Sequence, residues 1–135
     1  MQLDPYLHFD GRCQDAIRFY RQALGAEVTT LVRRSDDPSG RAGDAAADRD
    51  AVLHVSLRIG EAMLSGTDLP GRRGSSWLGG SVTLPAPSDA EAERLFALLA
   101  DGGQVTMPLT TTFFASRTGR VIDRFGVPWT VVSDA

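Results

Sequence analysis

Leu57-Arg58-Ile59-Gly60-Glu61-Ala62-Met63-Leu64 and Ile122-Asp123-Arg124-Phe125-Gly126-Val127-Pro128-Trp129 decide the fold, because each half of the chain carries one of them. Both are short β-type runs folded around a glycine, the residue that takes the positive φ of a tight hairpin without steric cost. Upstream, the same order of signals recurs. Tyr6-Leu7-His8-Phe9 leads into a helical stripe ending at Leu24-Gly25, and Val82-Thr83-Leu84 leads into one ending at Ala100-Asp101-Gly102-Gly103. A strand, a helix and several strands, repeated once, predict an α+β fold. Two βαβββ repeats, about 3–68 and about 79–134 of a single domain 1–135, would form a curved mixed sheet around a cleft, with the helices outside.

The helices follow from spacing. Cys13, Ala16, Ile17, Tyr20, Ala23 and Leu24 share one face, with Gly25 placed for a left-handed C-terminal cap. Ser88-Asp89-Ala90-Glu91 fits a capping box, in which the Ser88 hydroxyl takes a backbone N–H and Glu91 reaches back. Ala92, Leu95, Phe96 and Leu99 then form the second stripe. Among the strands, Val28, Thr30 and Val32 alternate, as do Val105, Met107 and Leu109. In Ala51 to Ile59, Leu53, Val55, Leu57 and Ile59 make the face expected under a helix; Val52, His54, Ser56 and Arg58 make the other. Glu61 to Ser65 returns across Gly60, and Arg120 to Phe125 with Val127 to Val132 closes the second half. Ser35 to Asp50 has no periodicity and reads as an acidic, solvated loop rather than a calcium site. Thr67 to Gly79, with its Arg72-Arg73 pair, links the halves.

Composition removes whole classes of function. With 135 residues, 42% hydrophobic and 23% charged, the chain suits one soluble domain. Its net charge of −3 gives nucleic-acid binding no electrostatic support. All 14 basic residues are arginine, and without lysine neither Schiff-base chemistry nor a P-loop is available. One cysteine, Cys13, cannot make an internal disulfide. No apolar run reaches the roughly 20 residues of a membrane helix, and Met1 to Pro5 does not look like a signal peptide. A cytoplasmic protein is expected.

Four strings in one order give the chain a family likeness. They are Pro5 to Gly11; Ala16-Ile17-Arg18-Phe19-Tyr20 with Leu24-Gly25-Ala26-Glu27; Leu53 to Gly60; and Asp123 to Trp129. Together they resemble the vicinal oxygen chelate superfamily of glyoxalases, bleomycin-resistance proteins and dioxygenases, and more closely its PhnB-like branch. The resemblance implies a homodimer. In metal-dependent members it implies four His, Glu or Gln ligands from the first and last strands of each repeat. Here those strands offer Pro5, with His8 on the opposite parity; Leu64 or Ser65; Gly80 or Ser81; and Thr130 or Val131. No metal or other cofactor is therefore expected. The branch also tends to read Thr-Phe-Trp-Ala-His where this chain has Thr112-Phe113-Phe114-Ala115-Ser116, so a histidine is replaced by Ser116.

Candidate site residues come from the mixed strand face and from this string. His54 is the catalytic candidate, as general base, and otherwise a polar anchor or a histidine satisfied within the fold. Ser56 shares its face. Phe113, Phe114 and Trp129 form either an apolar pocket wall or core, with the hydroxyls of Thr110 and Thr130 nearby. His8 is expected on the helix side. Cys13, at a helix start, is a reactive thiol or a small core residue. Two functions stand open. One is metal-free binding of a small molecule in the cleft; the alternative is a glyoxalase-like metal-dependent lyase or isomerase, or a dioxygenase, acting on a small metabolite. Neither nucleic acid nor membrane is an expected partner.

Overall fold

The computed structural model describes residues 3–36, 50–68 and 80–134. Most of the acidic loop and the Arg72-Arg73 linker lie outside these residues. The chain forms two compact units, Met1–Ser75 and Ser76–Ala135.

In the first unit β1 (Tyr6–His8) leads to α1 (Cys13–Leu24), β2 (Glu27–Arg33), β3 (Val52–Ile59) and β4 (Ala62–Thr67). The second repeats the order with β5 (Val82–Pro85), α2 (Asp89–Ala100), β6 (Gln104–Thr110), β7 (Arg117–Ile122) and β8 (Pro128–Ser133). Sheet orders are β1-β4-β3-β2 and β5-β8-β7-β6, so the two units share one topology. Each first strand pairs parallel with its unit's last strand, and the remaining pairs are antiparallel. The two-fold βαβββ expectation holds. Gly60 (φ 60°) and Gly126 (φ 85°) occupy the two hairpin tips.

Each helix buries the predicted stripe, except for Leu24, which is half-buried. Cys13, Ala16, Ile17, Tyr20 and Ala23 are buried on α1, and Gly25 (φ 66°) caps it with its N–H on the Tyr20 carbonyl. On α2, Ala92, Leu95, Phe96 and Leu99 are buried, and Ser88 Oγ accepts from the Glu91 N–H at 3.1 Å. Only half of the capping box forms. The Glu91 carboxylate turns instead to Arg94, one helical turn on, whose charge attracts it more strongly than a neutral N–H. Below the helices lie Leu7, Val55, Leu57 and Leu64 in the first unit and Val121, Trp129 and Val131 in the second. Each such burial stabilises by about 1.5–3 kcal/mol.

One register expectation needs correction. Val55 and Leu57 are buried and His54 and Ser56 lie on the other face, but Leu53 is half-buried and Val52 takes the core position. The cause is a bulge. Val32 pairs with His54 and Arg33 with Val52, so Leu53 is an extra residue and the alternation shifts by one behind it. A second correction concerns β7, which starts at Arg117 rather than Arg120. Asp123 to Gly126 forms the turn instead of extending the strand.

Candidate functional site

The face of each sheet opposite its helix carries the polar side chains. In the first unit β1 alternates exposed, buried, exposed, so Tyr6 and His8 lie on this open face and Leu7 enters the core. That reverses the expectation for His8, whose ring meets Tyr6 edge-on at 5.9 Å. Tyr6 pairs in register with Ser65, and Ser65 with Ser56. His54 completes the group. Its ring stacks on Tyr6 at 5.8 Å, Nδ1 lies 3.4 Å from the phenol oxygen, and Nε2 lies 3.0 Å from Ser56 Oγ. Ser56 Oγ is in turn 3.5 Å from Ser65 Oγ. Both imidazole nitrogens are thus engaged by neutral groups. This matches a histidine satisfied within the fold better than a base waiting for a proton. Tyr6 was missed by the sequence reading and Ser65 was named only as a place implied for a metal; the pairing of β1 with β4 brings both to His54.

In the second unit the open face holds a cavity of about 330 Å³ lined by Gly80, Ser81, Thr106, Arg120, Val121, Ile122, Pro128 and Trp129. Thr130 stands opposite both Thr83 and Arg120 in register, and its hydroxyl meets Ser81 Oγ at 2.7 Å. Thr130 therefore belongs to the polar face, whereas its neighbour Val131 is buried. Arg120 was not anticipated, since an arginine in a strand carries no pattern of its own.

The proposed aromatic wall does not assemble. Trp129 is 1% exposed, and its indole N–H donates to the buried Asp123 carboxylate at 2.9 Å. It belongs to the core and supplies only floor to the cavity. Phe113 and Phe114 meet edge to face at 5.3 Å and are exposed on the loop between β6 and β7. That loop joins β7 at Arg117, whereas Trp129 pairs near the strand's other end. Thr110, opposite Thr118, lies at the loop end as well. Ser116, where the branch pattern has histidine, is structural: its hydroxyl hydrogen-bonds Asp89 and reaches the Ser133 carbonyl at 3.0 Å. The Ser116 and Ser133 hydroxyls and the nearby Arg117 guanidinium hold the Asp89 carboxyl below its ordinary value, against the opposing effect of desolvation.

Cys13 is no nucleophile. The side chain is buried, and its backbone N–H, at the start of α1, donates to Asp68 Oδ1 at 2.8 Å. Burial and then the Asp68 charge push the thiol up to about 12, despite Arg33. At pH 8 the native thiol should react with a disulfide reagent some two to three orders of magnitude more slowly than the urea-unfolded chain. Because the folded pKa lies above the ordinary 9.0, this group costs no stability below about pH 9. Its contribution falls as pH rises toward 12, where the unfolded thiol ionises first. Reaction at equal rates in both states would contradict this.

The places implied for a metal can now be assigned. On β1, the open face presents Tyr6 and His8 rather than Pro5. On the other strands it presents Ser65, Ser81 and Thr130, while Leu64 and Val131 are buried. In the first unit these strands offer a single imidazole, His8, and in the second only hydroxyls; neither group by itself fits a divalent-ion ligand set. Among the described residues no three His, Cys, Asp or Glu side chains converge. No described helix is long and apolar enough to cross a membrane.

Comparison with known proteins agrees with the fold. The chain is 33% identical to protein YjdN of Escherichia coli (strain K12) over 97% of its own length and 94% of YjdN. It is similar to the crystal structure of PA1353 from Pseudomonas aeruginosa, at 38% identity and a TM-score of 0.86, covering 99% and 98% of the two chains. A Bacillus cereus PhnB protein, titled a putative 3-demethylubiquinone-9 3-methyltransferase, shares the fold at 20% identity and a TM-score of 0.81, covering 98% and 99%. The sequence profile of one superfamily matches residues 2–131. With strand–helix–strand units repeated in one topology, the chain belongs to the Glyoxalase/Bleomycin resistance protein/Dioxygenase superfamily.

Proposed function

We propose that this protein binds a small, partly apolar molecule on the open faces of its sheets and does so without a metal. The observation that carries the reading is the character of those faces. Taken by itself, the first unit's face carries the Ser56 and Ser65 hydroxyls beside the His54 imidazole; the second unit's carries the paired Ser81 and Thr130 hydroxyls and a 330 Å³ cavity edged by Ile122 and Pro128. Such a mixture of apolar walls and a few fixed polar groups is the usual make-up of a ligand site. His54 anchors the ligand by exchanging its long 3.4 Å contact with the stacked Tyr6 phenol for a bond from Nδ1 to the ligand, while Ser56 holds Nε2. A second reading, metal-dependent catalysis on a small metabolite, draws support from His8 and His54, which both contact the Tyr6 ring. The protein works as a cytoplasmic homodimer in this proposal. The outer strand β2 exposes Val28, Leu31 and Val32, and apolar sheet edges favour a covering partner. Light scattering should give twice the chain mass.

The test is a metabolite screen by ligand-detected NMR on native protein, with and without chelator, beside metal analysis. Binding should survive chelation and weaken about tenfold or more in His54→Ala, the scale of one lost polar anchor. Stoichiometric zinc, nickel, manganese or iron, with binding abolished by chelator, would transfer the argument to the metal-dependent reading.

A further inference from the structure

We infer that the second unit carries an oxyanion-binding site centred on Arg120, so that the ligand bears a carboxylate or a phosphate-like group. This rests on the small-molecule reading above and names the chemical class of its ligand.

Placement is the first reason. Arg120 lies on β7, an inner strand of its sheet, between Met107 on β6 and Thr130 on β8. Its neighbour Thr130 is hydrogen-bonded to Ser81 Oγ at 2.7 Å. In a hydroxyl pair only one proton is spent internally, so the second O–H remains to donate outward. Of this pair Ser81 lines the cavity, and Thr106 adds a second hydroxyl to the lining. It reaches that position because it is the extra residue of a bulge: Val105 pairs with Val121 and Met107 with Arg120.

Charge is the second reason. Arg18, Arg58, Arg94, Arg117 and Arg124 each meet a carboxylate within 4 Å. Arg120 has no such partner among the described residues, and no acidic side chain lines its cavity. In a chain of net charge −3, a cavity carrying one exposed guanidinium and only neutral groups is locally cationic. A guanidinium offers paired N–H donors matched to two oxygens of one oxyanion, and flanking hydroxyls can meet the remaining lone pairs. Ile122 and Pro128 then take the apolar part of the ligand. A surface arginine that only kept the protein soluble would require neither the hydroxyl pair nor the cavity beside it.

The experiment titrates inorganic phosphate, and separately acetate, into the full chain at constant ionic strength, followed by backbone and arginine Nε–H resonances. Saturable shifts are expected at Gly80, Ser81, Arg120 and Thr130, and whichever ion binds more tightly identifies the oxyanion. Arg120→Gln should weaken binding at least tenfold, Arg120→Lys should retain part of it, and Ser81→Ala should weaken it less than Arg120→Gln. Arg120 is exposed, so each variant can be verified as folded by its melting curve. Shifts that do not saturate, or that persist unchanged in Arg120→Gln, overturn the inference. The metabolite screen separates the two proposals. Neutral ligands that bind wild type and Arg120→Gln alike would leave small-molecule binding standing and remove the oxyanion site. Phosphate or acetate binding with no metabolite hit would do the reverse.

Discussion

Asp123→Ala should destabilise the protein by about 3–5 kcal/mol, a large share of the 5–15 kcal/mol that usually holds a domain folded. Asp123 is 3% exposed, and its carboxylate gathers three donors. Oδ1 accepts from the backbone N–H groups of Phe125 at 2.8 Å and Val127 at 3.0 Å, and Oδ2 from the Trp129 indole at 2.9 Å. The Asp123 main chain closes the same turn, donating its N–H to Val127 O and accepting from Gly126 N. Removing the carboxylate strands three buried donors at roughly 1–3 kcal/mol each, partly offset by water entering the turn. Asp123→Asn supplies the internal comparison. Its amide oxygen can still serve the two backbone donors, but its NH₂ then faces the indole N–H. It should therefore cost clearly less than alanine and more than nothing. Chemical denaturation of the three proteins gives the order directly, and an alanine variant within 1 kcal/mol of wild type would show that the clamp matters little.

That clamp explains why Asp123 to Trp129 marks the fold and not the function. Its spacing is a folding signal: an aspartate, a glycine tip and a tryptophan arranged so that the side chain of the first ties the other end of the hairpin. From the sequence alone Trp129 could face a ligand or the core, because strand parity does not say which face the helix covers. The helices were more legible. Their 3.6-residue stripes and the Ser88 cap involve neighbours in sequence, and the structure reproduces them residue for residue apart from the half-buried Leu24 and the Glu91 side chain. Bulges were not legible. One extra residue at Leu53 exchanges Val52 for Leu53 in the core, and nothing in the apolar pattern of β3 marks where the insertion falls.

The polar faces were half visible for the same reason. His54 and Ser56 could be placed because they alternate with apolar residues on one strand, β3, whereas Thr130 and Val131 stayed alternatives until the face of β8 was known. Tyr6 and Ser65 join His54 only through the parallel pairing of β1 with β4, a contact between residues far apart in sequence. His8 was assigned to the helix side from its apolar neighbours, whereas three residues of strictly alternating β1 put it beside Tyr6. Arg120 becomes meaningful only when its cross-strand partner Thr130 and the Ser81 hydroxyl are seen together.

Gly103→Ala should be the second most damaging substitution, costing about 3 kcal/mol or more, at the upper end of overpacking in a close-packed interior. In sequence the Gly102-Gly103 pair simply ends α2, yet the two glycines do different work. Gly102 has φ 77° and would bring an added Cβ against the Arg124 side chain at 3.2 Å, a flexible group that can move aside. Gly102→Ala should therefore cost roughly the 1–2 kcal/mol of a left-handed conformation. At Gly103 the backbone conformation is an ordinary one, but a Cβ would lie 2.2 Å from the Ile122 carbonyl oxygen and 3.0 Å from Asp123 Cα. Both atoms are backbone. Ile122 ends β7 and Asp123 begins the clamped hairpin, so relief requires moving the strand end that positions the turn. Gln104, the next residue, pairs with Ile122 in the β6–β7 ladder, so a shift there also strains the register of the edge strand. Alanine at 103 should lower the thermal midpoint by roughly 10 °C, at about 3–5 °C per kcal/mol for a chain of this size. Alanine at 102 should lower it by about half that or less. Amide shifts in Gly103→Ala should cluster at 103–105 and 121–127. A melting curve indistinguishable from that of Gly102→Ala would show that the close approach at Gly103 does not constrain the fold.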